Sequence, residues 1–269
     1  MTVIYCFSGS GNSLAVSKDV ADRLGAEVRM IVDTPADRAV SEDVDAIGFV
    51  YPNYDFKAPD YVDRWISGAD GLAGRYVFAL CTYGISAGRS LEKLNDTLAG
   101  RGARLSAGFA VQMPHNGIGS SLQPDRVREA IQSRWSQRLE DVVTTIANRE
   151  SREPESGSTL LGFLRNQSWK MLPGLFRYLG VWMREGEAGL AYNADDRCNA
   201  CGVCARLCPV ENIAMHDGRP SWGSTCTNCF GCLHWCPTGA IHLGRADLRI
   251  DQPYHHPAVT LADMIRRPA

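Results

Sequence analysis

The chain carries almost no excess charge: 28 Lys and Arg stand against 30 Asp and Glu, a net charge of −2. A nucleic-acid-binding surface usually shows as a basic excess, so this balance argues against nucleic acid as the main partner. The basic residues are mostly Arg, which carries no functional message. Long apolar runs are lacking too. No stretch reaches the roughly 18 consecutive apolar residues of a membrane-spanning helix. Residues 3–7 are apolar, but a Gly/Ser-rich stretch follows at once and no charged leader precedes them, so a secretion signal is not expected. The expectation is a cytoplasmic protein. Its 269 residues, 45% of them apolar, leave room for one sizeable domain and a small one.

What the sequence has in quantity is cysteine, concentrated in one place. Eight of ten cysteines fall between residues 198 and 236. In the cytosol, cysteines clustered at short fixed spacing read as metal ligands rather than disulfides. Cys198, Cys201, Cys204 and Cys208 precede Pro209; Cys226, Cys229, Cys232 and Cys236 precede Pro237. One C-x2-C-x2-C-x3-C-P motif is written twice. Such a run wraps three thiolates around one iron–sulfur cubane, and its fourth cysteine ligates the other cluster. Cys198, Cys201, Cys204 and Cys236 are therefore expected to hold one 4Fe–4S cluster, and Cys208, Cys226, Cys229 and Cys232 the second. Gly202 and Gly231 are expected to supply backbone angles that bring amides to the sulfurs. Zinc is the rival, but structural zinc sites pair two cysteines with two distant ligands and leave no third cysteine at the next step. Over about 50 residues the motif resembles two-cluster bacterial ferredoxins, without a strongly acidic docking face.

Ahead of this module, strand and helix patterns alternate. Short apolar runs at 3–7, 28–32, 45–51, 76–81 and 109–113 read as buried parallel strands. Helices are expected at 13–24, ending at Gly25, at 58–66, and through about 98. Residues 33–44 are short and polar, so the second crossover is stunted. Val127, Ile131, Trp135, Leu139, Val142, Val143 and Ile146 recur at helical spacing over 124–149. The pattern predicts an α/β fold, an open doubly wound parallel sheet with right-handed crossovers.

The loop after the first strand reads Ser8-Gly9-Ser10-Gly11-Asn12-Ser13. Its hydroxyls, its glycines and the following helix N-terminus suit a phosphate, with an ordinary tight turn as the rival reading of the loop alone. It has no lysine, which argues against ATP or GTP, and G-x-G-x-x-G is not met because Leu14 stands at the last position. The loop after the third strand offers Pro52, Asn53 and Tyr54. The loop after the fourth offers Thr82, Tyr83, Gly84 and, further on, Gly88. These segments, with Met113-Pro114-His115-Asn116, resemble a family of flavodoxin–ferredoxin fusions, electron-transfer iron–sulfur flavoproteins, over nearly the whole chain. The resemblance implies a flavodoxin-like five-stranded sheet of order 2-1-3-4-5 and FMN bound by residues 8–13 and the loops near 52–54 and 82–88. Ser stands where Thr is usual at the phosphate positions, and either Tyr54 or Tyr83 is open as the ring that stacks on the flavin.

Four regions are expected: residues 1–150, a flavodoxin-like FMN domain; 151–190, an aromatic-rich connector beginning in a polar stretch; 191–245, the two-cluster module; and 246–269, a tail with no legible chemistry. The aromatic, Arg-dotted stretch 159–190 has three readings: packing that docks the module, a lid over the flavin, or an interfacial anchor. Cys6 and Cys81 read as core residues. His115 is a surface-loop histidine or a proton donor beside the flavin. His234, between cysteines of the second run, reads as a surface residue, with tuning of a cluster potential as the alternative.

The expected function is electron relay between two clusters and FMN. The alternative is an FMN-dependent reductase of a small organic substrate, fed through the clusters. Partners would be redox proteins or a small-molecule acceptor, with neither nucleic acid nor membrane involved; self-association into a homodimer is left open.

Overall fold

In a computed structural model of the chain, residues 1–38, 40–117, 123–156, 176, 191–244 and 253–265 are described. The expected readings of segment 159–190 lie outside the described residues, Phe176 apart.

Five parallel strands form one sheet: β1 (Thr2–Cys6), β2 (Glu27–Met30), β3 (Ala46–Pro52), β4 (Tyr76–Tyr83) and β5 (Ala107–Gln112), in the order β2-β1-β3-β4-β5. This is the flavodoxin-like order, with its switch point between β1 and β3. Helices α1 (Asn12–Leu24), α2 (Asp60–Ser67), α3 (Ser90–Ala99) and α4 (Asp125–Ala147) cover it. Gly25, at φ 62°, ends α1 as expected. The stunted second crossover is two 3-10 turns, Ile31–Asp33 and Ala36–Arg38. No helix among the described residues is long and apolar enough to cross a membrane.

Strand alternation divides the apolar side chains between two faces. Val3, Tyr5, Phe7, Val77, Ala79 and Cys81 pack against Trp65, Ile66, Leu91 and Leu94 of α2 and α3. Ile4, Phe78, Leu80, Phe109 and Val111 pack against Val16 and Val20 of α1 and Trp135, Leu139 and Val142 of α4. Cys6 and Cys81 are core residues, and burial pushes both thiols up to about 12.

The polar stretch after α4 runs back along the sheet edge instead of standing off as a loose linker. Arg152 N–H donates to Ser106 O, Glu155 N–H to Gly108 O, and Ala110 N–H to Glu155 Oε2. Its charge pattern hid this, because backbone and carboxylate bonds to an edge strand leave no apolar periodicity.

The cysteine-rich half has two antiparallel pairs. Strands β6 (Tyr192–Ala194) and β9 (Ile241–Leu243) pair, and β7 (Ile213–His216) pairs with β8 (Arg219–Trp222). Short helices Val203–Leu207 and Gly231–His234 begin within the two C-x2-C-x2-C runs and carry their third cysteines, Cys204 and Cys232. A last helix, Leu261–Met264, starts with a Thr260/Asp263 capping box.

Candidate functional site

The doubled motif is doubled in backbone as well as in sequence. Left-handed residues fall two and four places after each first cysteine, Ala200 and Gly202 in one half and Asn228 and Phe230 in the other. A further pair, Glu211 and Gly239, falls three places after each fourth cysteine. Gly202 takes the expected left-handed angle at φ 68°; Gly231 does not, because Phe230 turns the chain at φ 56°, yet the Gly231 N–H does reach a sulfur, that of Cys229. Gly231 is small for a different reason. A Cβ there would lie 2.7 Å from Leu207 Cδ2 and 3.3 Å from Gly9 O.

The turns aim backbone N–H groups at sulfur. Asn212 N–H donates to Cys208 Sγ at 3.2 Å, and Ala240 N–H to Cys236 Sγ at 3.3 Å, the same four-residue step in each half. Asn228 N–H donates to Cys226 Sγ at 3.4 Å. Cys198, Cys201, Cys204 and Cys236 line one small cavity, walled by Val203, Met215, Pro237 and Ile241. Burial is what chiefly raises the Cys226, Cys229 and Cys232 thiols. The next upward pushes come from neighbouring thiols: Cys208 on Cys226, Cys208 and Cys226 on Cys229, and Cys229, Cys226 and, from the other set, Cys204 on Cys232. Cys198, Cys201, Cys204 and Cys236 thus share a cavity, while Cys208, Cys226, Cys229 and Cys232 lie close enough to act on one another's thiols. Among the described residues no three His, Cys, Asp or Glu side chains converge on a point that would hold a single metal ion. Four thiols around a cavity, met by N–H donors, fit the larger iron–sulfur cubane.

The second cysteine run leans on the first loop of the sheet domain. A Cβ on Gly9 would lie 2.2 Å from the carbonyl oxygen of Cys229, so only glycine fits. Trp235 Nε1 donates to Gly9 O at 3.0 Å. His234, read from the sequence as a surface residue, is 2% exposed. Its Nε2 donates to Asn116 O at 2.6 Å and its Nδ1 accepts from Tyr254 N–H at 3.1 Å, which fixes a neutral tautomer. Burial lowers its pKa to about 4.

The tail has structural work that its sequence did not announce. His256 N–H donates to Ser10 O, and Tyr254 OH donates to Asn12 Oδ1 at 2.9 Å. His255 stacks on Trp235 with centroids 4.2 Å apart. Lys18 pairs with Asp263 at 2.9 Å. Val259 and Met264 share a small core with Leu14, Leu207 and Trp235. Residues 253–265 thus form a strap over both halves. Only the apolar Val259 and the capping box hinted at it.

At the strand ends lies a cavity of about 810 Å³. Ser8, Gly9, Ser10, Asn12 and Ser13 line it, with Pro52, Asn53, Tyr54, Thr82, Tyr83 and Gly84 and with Met113, His115 and Asn116. Two of the expected residues face elsewhere. Gly11 faces Val259 and His256 of the strap, and Gly88 is covered by the Phe56 ring. Within the loop, Gly11 N–H donates to Ser8 Oγ, Ser13 Oγ shares a 2.8 Å hydrogen bond with Thr82 Oγ1, and Asn12 Nδ2 donates to Pro114 O. Asn53 Nδ2 donates to Ser86 O at 2.6 Å, while its Oδ1 is buried with no donor. A lone acceptor in the wall suits a ligand with a ring N–H, as an isoalloxazine has, and hydroxyls beside the α1 N-terminus suit a phosphate. The residues present fit FMN. Sequence reasoning missed the opposite wall, made of Cys226, Asn228 and Phe230 of the cysteine module. No short-range pattern links these residues to a loop more than 200 positions away.

No protein-family description and no curated protein matches the sequence. Solved structures do. The chain is similar to the two-electron reduced flavodoxin of Megasphaera elsdenii at 22% identity, covering 44% of this chain and 90% of that one, with a TM-score of 0.38. It is similar to a flavodoxin of Streptococcus pneumoniae at 15% identity, covering 55% and 97%, TM-score 0.38. A third is an FMN-dependent NADH-azoreductase of Bacillus anthracis at 13% identity, covering 55% and 99%, TM-score 0.39.

Proposed function

We propose that the chain is an electron-transfer iron–sulfur flavoprotein of the flavodoxin–ferredoxin fusion type, binding FMN in the 1–150 region and two 4Fe–4S clusters in the 191–245 region. When bound, the clusters carry single electrons and FMN exchanges one or two, so together they convert between the two kinds of redox chemistry. The observation that carries the reading is the shared cavity. Ser8, Tyr54 and Tyr83 lie on one wall, and Cys226 and Phe230 lie on another. One ligand in that space touches both halves of the molecule.

The protein's own part is positioning. Ser8, Ser10 and Ser13 and the first turn of α1 hold a phosphate without a basic side chain. Asn53 and the 82–84 backbone address the ring edge, and Tyr54 or Tyr83 supplies an aromatic face. Gly9, Trp235 and His234 fix the second cysteine run against the phosphate loop, so the distance between the redox sites is set by rigid contacts. The partners are redox proteins or a small-molecule electron acceptor.

A second reading, a reductase of a small organic acceptor, is favoured by His115. Its backbone N–H is held by Gln123 Oε1 at 3.0 Å and its ring packs on Gly84 and Gly117 in the cavity wall, where it could deliver a proton.

Stopped-flow reduction of the purified holoprotein tests the relay. With electrons supplied by a one-electron donor, flavin bleaching should follow cluster bleaching in the wild type. In Cys229→Ser, FMN should stay bound and be reduced at least tenfold more slowly. Equal flavin rates in the two proteins would overturn the relay.

A further inference from the structure

Buried hydrogen-bonding atoms without a partner are few in a folded protein, and each needs an explanation. Here half of the side-chain cases among the described residues converge on one place. Tyr54 Oη, Tyr192 Oη, Trp222 Nε1 and Thr227 Oγ1 are all buried and make no hydrogen bond of standard geometry. Each lies against the cysteine set of Cys208, Cys226, Cys229 and Cys232. Thr227 faces the Cys229 thiol and Trp222 that of Cys232. The Tyr54 hydroxyl sits over Gly9, whose missing Cβ position is 3.1 Å from it and 2.2 Å from Cys229 O. Tyr192 stacks on Trp222 at 5.8 Å and meets Phe230 at 6.2 Å. Both tyrosines have pKa values pushed up by burial first and then by the thiols of this set.

The other set is different. The cavity of Cys198, Cys201, Cys204 and Cys236 is walled by Val203, Met215, Pro220 and Ile241, and no orphaned buried donor among the described residues lies in its wall. Its side-chain hydroxyl, Thr238 Oγ1, is already engaged with Cys236 Sγ at 3.6 Å.

Four buried O–H and N–H groups surround a set of thiols without a hydrogen bond of standard geometry, Thr227 and Trp222 already leaning on the Cys229 and Cys232 thiols, and the sulfurs of a bound cluster are acceptors. Reduction adds negative charge to a cluster, so donors to its sulfurs favour the reduced form and raise the reduction potential. Resting on the cluster reading above, we propose that Tyr54, Tyr192, Trp222 and Thr227 hydrogen-bond the cluster of Cys208, Cys226, Cys229 and Cys232 and hold it at a higher potential than its neighbour. That cluster is also the one beside the 810 Å³ cavity, because Cys226 lines it. The electron balance is simple: one electron leaves the first cluster, which is oxidised, and enters the second, which is reduced, with no proton or co-reactant. The downhill direction between the clusters therefore points toward the cavity. Tyr54 occupies both environments, since its ring lines the cavity and its hydroxyl faces the cysteines.

Redox titration of the anaerobically purified holoprotein, read by electron paramagnetic resonance with dithionite as reductant, tests this. The wild type should give two separated cluster midpoints. Tyr54→Phe, Tyr192→Phe and Thr227→Val should each lower the upper midpoint and leave the lower in place, with iron and sulfide content unchanged. Thr238→Val should lower only the lower one. Coincident wild-type midpoints at full iron content would overturn this inference alone, as would hydroxyl variants that move neither midpoint. A protein that takes up no iron and sulfide would overturn the cluster reading and this inference together.

Discussion

The two halves of this chain are stabilised by different means. Residues 1–156 bury a sheet on both faces, with Tyr5, Phe49, Phe78 and Phe109 fully enclosed. Burial of that kind supplies roughly 1.5–3 kcal/mol for each large apolar side chain. Residues 191–244 have one core cluster of their own, with six buried residues, and three of them, Cys204, Cys208 and Cys232, are cysteines. A unit this small rarely holds itself together by apolar burial and needs a staple. On the proposed reading, one half folds on its own side chains, and the other is organised around the clusters its thiols would hold. The line between them passes through the phosphate loop, where Gly9 touches Cys229.

Removing iron and sulfide should break the comparison open most widely. Anaerobic treatment with a strong chelator should abolish hydrogen-exchange protection over β6–β9 while the amides of β1, β3 and β4 stay protected. Equal loss in both halves would mean that the sheet domain also depends on the clusters. The converse change is Phe109→Ala, expected to cost about 3–5 kcal/mol of sheet-domain stability in denaturant titration. Iron content under native conditions should not change. Loss of iron in step with the sheet would show one cooperative unit.

The sheet half was legible in the sequence because its signals are local. Apolar runs of strand length, Gly25 past a helix and the Ser8–Ser13 loop each announce themselves within a dozen residues, and right-handed crossovers do the rest. The doubling of the cysteine run was legible for the same reason, and its left-handed turns repeat at the same steps in both halves. What was hidden is long-range. His234 is polar, and nothing near it in sequence says that Asn116 and Tyr254 cover it. Phe230 takes a backbone angle usually given to glycine, so the neighbouring Gly231 drew the assignment instead. The strap of 253–265 and the edge-following stretch 150–156 have polar, Pro-dotted sequences whose partners lie far along the chain.

Gly9→Ala probes the seam directly. The added methyl meets the Cys229 carbonyl and should cost about 1–3 kcal/mol by overpacking. Both halves should keep their folds, while FMN affinity falls and proteolysis between residues 156 and 191 speeds up. An unchanged proteolysis pattern would show that the seam is held elsewhere.

The smallest effect belongs to the strap. Asp263 caps the last helix through Thr260 and pairs with Lys18. Asp263→Ala should cost about 1 kcal/mol, read as a lower Tm. The hydrogen bond from Lys18, followed by that from the Thr260 backbone, pulls the Asp263 carboxyl down to about 2. The unfolded chain therefore binds this proton more readily. The contribution is complete above about pH 4 and fades as pH falls through about 2. The wild-type minus variant difference in Tm should shrink over that window and stay flat above it.

The central claim is that two crossed cysteine sets and one cavity load together. Native mass spectrometry of the anaerobically purified chain tests it most directly. The account predicts one dominant species, heavier than the polypeptide by two Fe4S4 units and one FMN. A bare chain, a zinc adduct, or clusters without flavin in a protein purified with FMN present would contradict it.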